Sequence, residues 1–172
     1  MNLYLKFADL VLAVTRVATI LIVAAMTITV LIAVFFRFVI PLPIAWPPEV
    51  ARFMMVAVTM IAGSIAARRL EHVGITLVVD LLPRPVALGL YIAGNALVCV
   101  FLAVFIWFSA RLTIEMGPRQ ISPSLGLSMV YAYASMPVGG LLMLIQTIAA
   151  TIEGVRRSGG GDSPFSTEAS PI

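Results

Sequence analysis

The chain has 172 residues, of which 61% are hydrophobic and only 11% are charged, and its mean hydropathy is +1.08. An ordinary soluble domain is about half apolar and about a quarter charged, so these values exclude an ordinary soluble fold and predict a membrane protein. The net charge of +3 arises from basic residues that flank apolar runs. The sequence has no basic patch with interleaved aromatic residues, so nothing in it predicts binding of nucleic acid.

Four runs without a charged residue predict four transmembrane helices. The runs cover residues 17–36, 53–67, 85–110 and 120–152. A helix needs about 20 residues to cross the hydrocarbon core, and the second run reaches this length if its helix begins near Pro47. The runs also lack the alternation of a transmembrane β-barrel. The predicted fold class is an all-α membrane protein with four transmembrane helices, at about residues 12–37, 47–68, 86–111 and 126–151.

The first of these helices has two interpretations, a cleaved signal peptide or a retained span. Its apolar core is too long for a signal peptide, and no convincing small-x-small cleavage site follows it. We therefore expect the helix to be retained.

The sequence WPPEVAR, residues 46–52, stands before the second apolar run. Proline is tolerated in the first turn of a helix, and a carboxylate such as Glu49 is favourable there. Trp46 suits the headgroup boundary, and Glu49 and Arg52 are spaced to pair on one helix face. The stretch is either a helix entrance at the membrane interface or a site where Glu49 and Arg52 face a partner protein.

Small residues spaced by four predict close helix packing in the second and fourth spans. Thr59 and Gly63 have this spacing in the second span, and Ser135 and Gly139 have it in the fourth. Small side chains let two helix backbones approach closely, so this pattern indicates packing and no particular activity. Pro137 is expected to bend the fourth helix.

The link between the second and third spans, RRLEHVGITLVVDLLPRP, predicts a short interfacial segment. His72, Thr76 and Asp80 recur every four residues, so a helix would place all three on one polar stripe. The β-branched residues around them also allow a strand or an extended segment. His72 is the single histidine of the sequence, and a metal or haem site would need further ligands nearby. It is either a capping or interfacial residue or a docking contact.

Turn chemistry precedes the fourth span, at Gly117-Pro118 and Ser122-Pro123. Tyr131 and Tyr133 follow these turns. An aromatic belt explains them poorly at that depth, so we expect both to pack between helices with their hydroxyls hydrogen-bonded.

The distribution of basic residues predicts that both termini lie in the cytoplasm. Four spans put both ends on one side, and that side has seven Lys and Arg residues against four on the other. By the positive-inside rule the richer side is cytoplasmic. We expect one membrane domain at residues 1–155 and a disordered cytoplasmic tail at residues 156–172, because a tail rich in Gly, Ser and Pro cannot bury a core.

The chemistry that the sequence lacks limits its function. No span has a charge at its centre, and the sequence shows no phosphate loop, nucleophile–base set or metal cluster. We therefore expect no enzyme and no bound cofactor or metal, and the chain looks like a subunit. One alternative is an independent oligomeric small membrane channel or transporter, which the small-residue faces would allow. Another is a membrane enzyme or haem anchor, which the single histidine opposes.

Several stretches together resemble one family. They are FFRFVIPLPIAWPPEVARF at 35–53, Gly63 with Ala66 and Arg68, HVGITLVVD at 72–80, and SPSLGLSMVYAYASMPVGG at 122–140. In this order and spacing they resemble the DctQ-type small integral-membrane subunit of TRAP (tripartite ATP-independent periplasmic) transporters, over about residues 5–155. Pro47 and Pro48 replace the polar residues more usual after the tryptophan, at positions where a helix tolerates them.

The resemblance implies partners and a role. A large permease subunit would carry the substrate and sodium sites, and a periplasmic solute-binding protein would deliver an organic acid. The small subunit would be a scaffold in the lipid bilayer of the bacterial inner membrane, and the complex would use an ion gradient, usually sodium. Seven residues are then candidates for the partner interface or for structure, and none is a catalytic candidate: Arg37, Trp46, Glu49, Arg52, Gly63, His72 and Asp80.

Overall fold

A computed structural model describes residues 2–40, 42, 44–69 and 84–159 of the chain. Its elements are α1 (Asn2–Phe38), α2 (Trp46–Arg69), α3 (Arg84–Glu115), a 3-10 turn (Gly117–Arg119), α4 (Val130–Tyr133) and α5 (Ser135–Gly159). Within these ranges four helical stretches are long and apolar enough to cross a membrane, which confirms the predicted four-helix, all-α membrane fold. The predicted interfacial segment with His72 and Asp80 lies outside the described residues. Of the tail predicted at 156–172, residues 156–159 belong to α5, where the prediction of disorder is wrong, and the remainder lies outside the described residues.

The first and third helices are longer than the predicted spans, because a charged residue ends an apolar run without ending a helix. α1 begins at Asn2 and continues through Asp9 and Arg16. α3 continues past Arg111 to Glu115, and an ion pair of 2.9 Å between Arg111 Nη2 and Glu115 Oε1 supports its last turn. These helices therefore extend beyond the apolar runs that predicted them.

The fourth span begins at Val130, later than the predicted start at residue 126, and its helix is interrupted. Gly126 has a φ of +66°, in the left-handed region that favours glycine, and forms part of a turn. The helix breaks at Ala134 between α4 and α5, where the bond from Val138 N to Ala134 O is stretched to 3.3 Å. Pro137 has no N–H for the carbonyl four residues before it, which gives this break a direct physical cause.

Helices α2 and α5 form the centre of the arrangement. α1 packs mainly on α2, α3 packs on α5, and no extensive contact joins α1 to α3 in the described chain. In the apolar window of each span, 39% of the residues of the last helix are buried, against 6% for each of the first two helices and 11% for the third. The apolar faces of α1 and α3 that the described chain leaves uncovered therefore face lipid or a partner.

Two of the predicted small residues lie where α2 meets α5. Gly139 of α5 packs so close to Met60 of α2 that an added Cβ would collide with Met60 Cβ. Gly63 of α2 faces Met143 of α5, whose Sδ would lie 3.3 Å from an added Cβ. Small side chains at this contact therefore set the distance between the two central helices.

Hydroxyl groups within the spans bond to their own helices. Several threonines donate a hydrogen bond to the carbonyl four residues earlier: Thr15, Thr19, Thr27, Thr29, Thr59, Thr113, Thr147 and Thr151. An unsatisfied polar group in lipid costs several kcal/mol, so this local bonding lets threonine lie in a span without a partner on another helix.

Candidate functional site

The first polar site is the start of α2. Glu49, in the first turn, accepts a hydrogen bond from the backbone N–H of Ser124 at 3.1 Å and another from the Ser124 hydroxyl. Ser124 lies in the connection between α3 and α4, 75 residues away in sequence. The carboxylate therefore holds this connection against the second helix, in addition to its favourable place at the helix N-terminus.

The part of this connection at residues 120–129, which we call the 120–129 loop, is ordered by its own hydrogen bonds. Met129 N donates to Gln120 O at 2.9 Å, and Ser122 N donates to Leu127 O at 2.8 Å. The Ser122 hydroxyl accepts from Leu125 N at 3.1 Å. These bonds close a compact turn, and they place Ser124 within hydrogen-bonding distance of Glu49.

Glu49 and Arg52 do not pair with each other, although their spacing predicts that they could. The Glu49 carboxylate is engaged by Ser124, and the structure shows no ion pair within 4 Å between these two described residues. Arg52 is exposed at the surface of the chain, as is Trp46 with 37% of its surface accessible. Glu49 therefore contacts its own chain, while Trp46 and Arg52 are free to contact lipid or a partner.

A groove lies beside the start of α2, against the end of α1. It has a volume of about 590 Å³, and its lining includes Arg37 and Ala33 of α1 and Pro47 of α2. Arg37 is exposed at the surface, and its guanidinium carbon lies 5.6 Å from the centroid of the Phe38 ring. We call this feature the α1–α2 groove. Its walls are apolar apart from Arg37.

The second polar site lies at the opposite end of α2 and centres on Arg68. The Nη2 atom of Arg68 lies 2.7 Å from Asp9 Oδ1 of α1 and 2.9 Å from Glu153 Oε1 of α5. The Arg68 side chain is 8% exposed, whereas Asp9 is 60% and Glu153 is 36% exposed. One buried guanidinium thus joins three helices, and solvent at the carboxylates lowers the cost of burying the charges.

Neutral hydrogen bonds surround this ion pair. The fully buried Gln146 donates from Nε2 to Ala8 O at 2.9 Å. Tyr4 of α1 donates to Ile145 O at 3.0 Å, and Tyr91 of α3 donates to Ala150 O at 3.0 Å. These contacts bring all four spans together at one end. We call the set the Arg68 cluster: Tyr4, Asp9, Arg68, Tyr91, Gln146 and Glu153.

The sequence did not predict this cluster. In the sequence, Arg68 ends an apolar run, contributes to the charge bias and belongs to the family motif, but none of these predicts its partners. They are separated from it by 59 and 85 residues, beyond any local spacing rule. Asp9 gave a usable signal, because it is the one acidic residue before Glu49 and an acid within a membrane helix generally faces protein or water. For the same reason, a polar residue within an apolar helix predicts a partner on another helix.

The two tyrosines expected to pack between helices behave differently. Tyr131 is 76% exposed, so the packing prediction is wrong for it within this chain. Tyr133 is half-buried and donates its hydroxyl to Gln120 Oε1 at 2.5 Å, which joins α4 to the 120–129 loop. Tyr131 instead adds an aromatic side chain to the outer surface at this end.

The chemistry available at these sites is that of helix attachment and surface contact. Among the described residues no group of three or more His, Cys, Asp or Glu side chains is placed to hold a metal ion. Of the seven predicted candidates, Arg37, Trp46, Glu49 and Arg52 lie near the start of α2, and Gly63 lies between α2 and α5. The remaining two, His72 and Asp80, are not described.

The model of one protein family matches residues 26–157, which include most of the described chain. That family is the DctQ component of the tripartite ATP-independent periplasmic transporters. The chain belongs to this family. The match confirms the resemblance predicted from the sequence, and it makes the chain a component of a transporter and a multi-pass membrane protein. The matched segment contains Arg68 and Glu153 but begins after Asp9.

Two relatives come from sialic acid transporters. Over 110 residues the chain is 32% identical to the sialic acid TRAP transporter permease protein SiaT of Haemophilus influenzae, covering 63% of this chain and 17% of SiaT. Over 106 residues it is 27% identical to the small permease protein SiaQ of Vibrio cholerae, covering 62% of this chain and 61% of SiaQ. The chain thus matches less than two thirds of the length of either relative.

Proposed function

We propose that this chain is the small scaffold subunit of a TRAP-type secondary transporter in the bacterial inner membrane. It packs against a large permease subunit. That subunit transports an organic acid, which a periplasmic binding protein delivers. An ion gradient drives the transport, and sodium is the first ion to test. The observation that carries the proposal is the family match over residues 26–157, which includes α2 to α4, most of α5 and the last third of α1.

The internal chemistry of the described chain supports a scaffold. The buried charge, Arg68, is neutralised by Asp9 and Glu153 near one end of the helices, and Gln146 bonds to a backbone carbonyl. Ion and substrate sites in membranes generally use ionisable side chains that face a cavity within the bundle. The charged groups of the described spans instead bind helix to helix or lie at the surface, so the substrate and ion sites are assigned to the large subunit.

The comparison with SiaT supports a large permease partner. The 110 matched residues make up 17% of SiaT, so a segment similar to this chain occurs within a much longer permease polypeptide. In SiaT this segment is joined covalently to the rest of the permease. We propose that in this protein the small and large subunits are separate chains that associate by packing. The uncovered apolar faces of α1 and α3 provide the surface for this packing. They include Leu21, Leu31, Leu97, Phe101 and Phe108.

Co-purification tests the partner. The chain is coexpressed with a large TRAP permease from the same genome, and a tag on one subunit is expected to recover the other from detergent extracts. Sialic acid is the first organic acid to test in vesicles that hold the complex and its binding protein, since both relatives are named for it. Failure to recover any large permease contradicts the proposal, and solute flux through the purified chain alone favours the independent oligomeric channel instead.

Arg52 tests whether the start of α2 contributes to assembly. Because Arg52 is exposed and unpaired in the described chain, Arg52→Ala should leave the isolated chain stable but weaken the complex by about 1–3 kcal/mol, the loss typical of a polar contact left unmatched. Arg119→Ala, at another exposed arginine, is the matched control. An unchanged yield of complex with Arg52→Ala removes this residue from the interface.

Orientation follows from the same proposal. We infer that the Arg68 cluster and both termini lie on the cytoplasmic side, and the 120–129 loop on the periplasmic side, because the first side has more basic residues. In a Cys99→Ala background, an impermeant maleimide should label Ile121→Cys, at a side chain that is 67% exposed in the 120–129 loop, in intact spheroplasts and Ser158→Cys only after lysis. The reverse labelling pattern contradicts the orientation and leaves the subunit assignment unaffected.

A further inference from the structure

The α1–α2 groove combines a volume, a lining and a charge that suit one kind of ligand. Its volume of about 590 Å³ lies within the roughly 300–1,000 Å³ of ligand-binding clefts, which are mostly apolar with a few placed polar groups. Val30, Ala33 and Val34 form one wall, and Pro47 and Ala51 belong to the other. These walls offer no hydrogen-bonding side chain, so they suit a hydrocarbon chain.

Arg37 supplies the charge at one end of the groove. In the described chain its guanidinium has no carboxylate within ion-pair distance, and its carbon lies over the Phe38 ring, 5.6 Å from the centroid. A cation–π contact does not use the guanidinium N–H groups as hydrogen-bond donors to an anion, so these groups suit the oxygens of a phosphate. Pro47 and Pro48 have no backbone N–H, so the adjacent start of α2 lacks two hydrogen-bond donors. Arg37 is therefore the main donor in the groove that can bind an anion.

The position of Arg37 along α1 sets the depth of these groups in the membrane. Arg37 lies in the last turn of a membrane-spanning helix, where basic side chains reach the headgroup region. Val30 lies seven residues earlier, which at 1.5 Å per residue places it about 10 Å closer to the membrane centre. The groove therefore extends from phosphate depth into acyl-chain depth.

We propose that the α1–α2 groove is a binding site for one phospholipid. Arg37 hydrogen-bonds the lipid phosphate, and one acyl chain lies along Ala33 and Val34 toward Val30. The lipid fills the opening between the end of α1 and the start of α2, where the described chain has no side-chain bond joining the two helices. This site goes beyond the proposed scaffold role, since it concerns a ligand of this chain and not the partner subunit.

Native mass spectrometry of the purified, delipidated chain tests the site. Three probes separate the contributions: dioleoyl phosphatidylglycerol, dioleoylglycerol with the same chains but no phosphate, and glycerol 3-phosphate with no chains. One phosphatidylglycerol is expected to remain bound at concentrations where neither of the other probes is retained. Equal retention of dioleoylglycerol would overturn the role of Arg37, and with it the proposed site.

Substitutions locate the lipid in the groove. Arg37→Gln should weaken phosphatidylglycerol binding about fivefold, the effect of one basic group on an anionic lipid, whereas Arg119→Gln at the same end of the molecule should leave it unchanged. Ala33→Phe fills the groove from α1, and Ala51→Phe fills it from α2, while both retain Arg37. Each should abolish binding of the single lipid, and circular dichroism checks that each variant is folded.

Three results contradict the proposal. One is an unchanged affinity in Arg37→Gln, and another is an equal loss in Arg119→Gln. The third is that both filled-groove variants bind phosphatidylglycerol normally but no longer co-purify with the large permease, which would make the groove a seat for a permease helix. That result would leave the scaffold function intact, while failure of the wild-type chain to recover the permease would not alter the lipid measurement.

Discussion

The two ends of the helix arrangement are held together by different means. At one end the Arg68 cluster joins α1, α2, α3 and α5 by ion pairs and side-chain hydrogen bonds. At the other end the polar contacts attach helices to the 120–129 loop: Glu49 binds Ser124, Tyr133 binds Gln120, and neither reaches α1. One end is therefore fixed by contacts between helices, and the other by contacts between a helix and a loop.

The two ends also differ in which charged groups are exposed at the surface. Where the cluster binds the helices, charges are neutralised within the chain, as Arg68 is by Asp9 and Glu153. Where it is absent, α1 and α2 separate into a groove, and Arg37 and Arg52 are exposed. An end held by internal bonds suits a fixed scaffold, and an end with unpaired basic groups suits contact with lipid or a partner.

Arg68→Met should have the largest effect on the end that holds the Arg68 cluster. The substitution removes the guanidinium that holds two carboxylates, and Asp9 and Glu153 then repel each other. Breaking a fully buried pair costs about 3–5 kcal/mol, but the carboxylates here are 60% and 36% exposed, so we expect a loss of about 2 kcal/mol in the free energy of unfolding. Unfolding in mixed micelles with increasing dodecyl sulfate, followed by circular dichroism, measures it.

Arg52→Met is the matched control for this experiment, since it removes an exposed arginine from the same helix. Its effect on the isolated chain should stay within about 0.5 kcal/mol. If the two arginine variants unfold alike, Arg68 does not hold the helices together and the contrast between the ends is lost.

A smaller effect is expected from Tyr4→Phe. The variant keeps the ring and removes the hydroxyl that bonds Ile145 O at 3.0 Å, so the loss should be about 1 kcal/mol, the net value of one such bond. Tyr131→Phe removes a hydroxyl from a side chain that is 76% exposed and should change the free energy of unfolding by much less. Equal stability of Tyr4→Phe and the wild-type chain would show that the Tyr4 hydroxyl does not stabilise the attachment of α1, which would then rest on the ion pair with Asp9, the Gln146–Ala8 bond and helix packing.

Much of this fold follows from the sequence because it depends on local rules. Apolar length predicts the four spans, and the proline rule explains both the first turn of α2 and the break near Pro137. The spacing of Thr59 with Gly63, and of Ser135 with Gly139, predicts close packing, and the two glycines lie between α2 and α5. Each of these inferences needs only residues within one helix and the properties of the membrane.

The polar sites were harder to predict because their partners lie on other elements. The spacing of Glu49 and Arg52 predicts a pair within one helix, but Ser124, distant in sequence, offers both a backbone N–H and a hydroxyl to the carboxylate. Arg68 likewise has partners on two other helices. A spacing rule ranks only neighbours along one helix, so it cannot weigh a local partner against one that the fold brings near.

The smallest expected effect concerns the loop end. Ser124→Ala removes the hydroxyl bond to Glu49 but keeps the backbone N–H, which still donates at 3.1 Å. The free energy of global unfolding should therefore fall by about 0.5 kcal/mol or less, near the lower end for a hydrogen bond, because no contact between spans is lost. The change should instead appear as faster hydrogen exchange at the amides of the 120–129 loop, with exchange near Arg68 unaltered.

Glu49→Leu, which removes the acceptor for both bonds, should extend this local opening further. If Ser124→Ala lowers global stability as much as Arg68→Met does, the loop contact also holds the helices, and the two ends are equivalent.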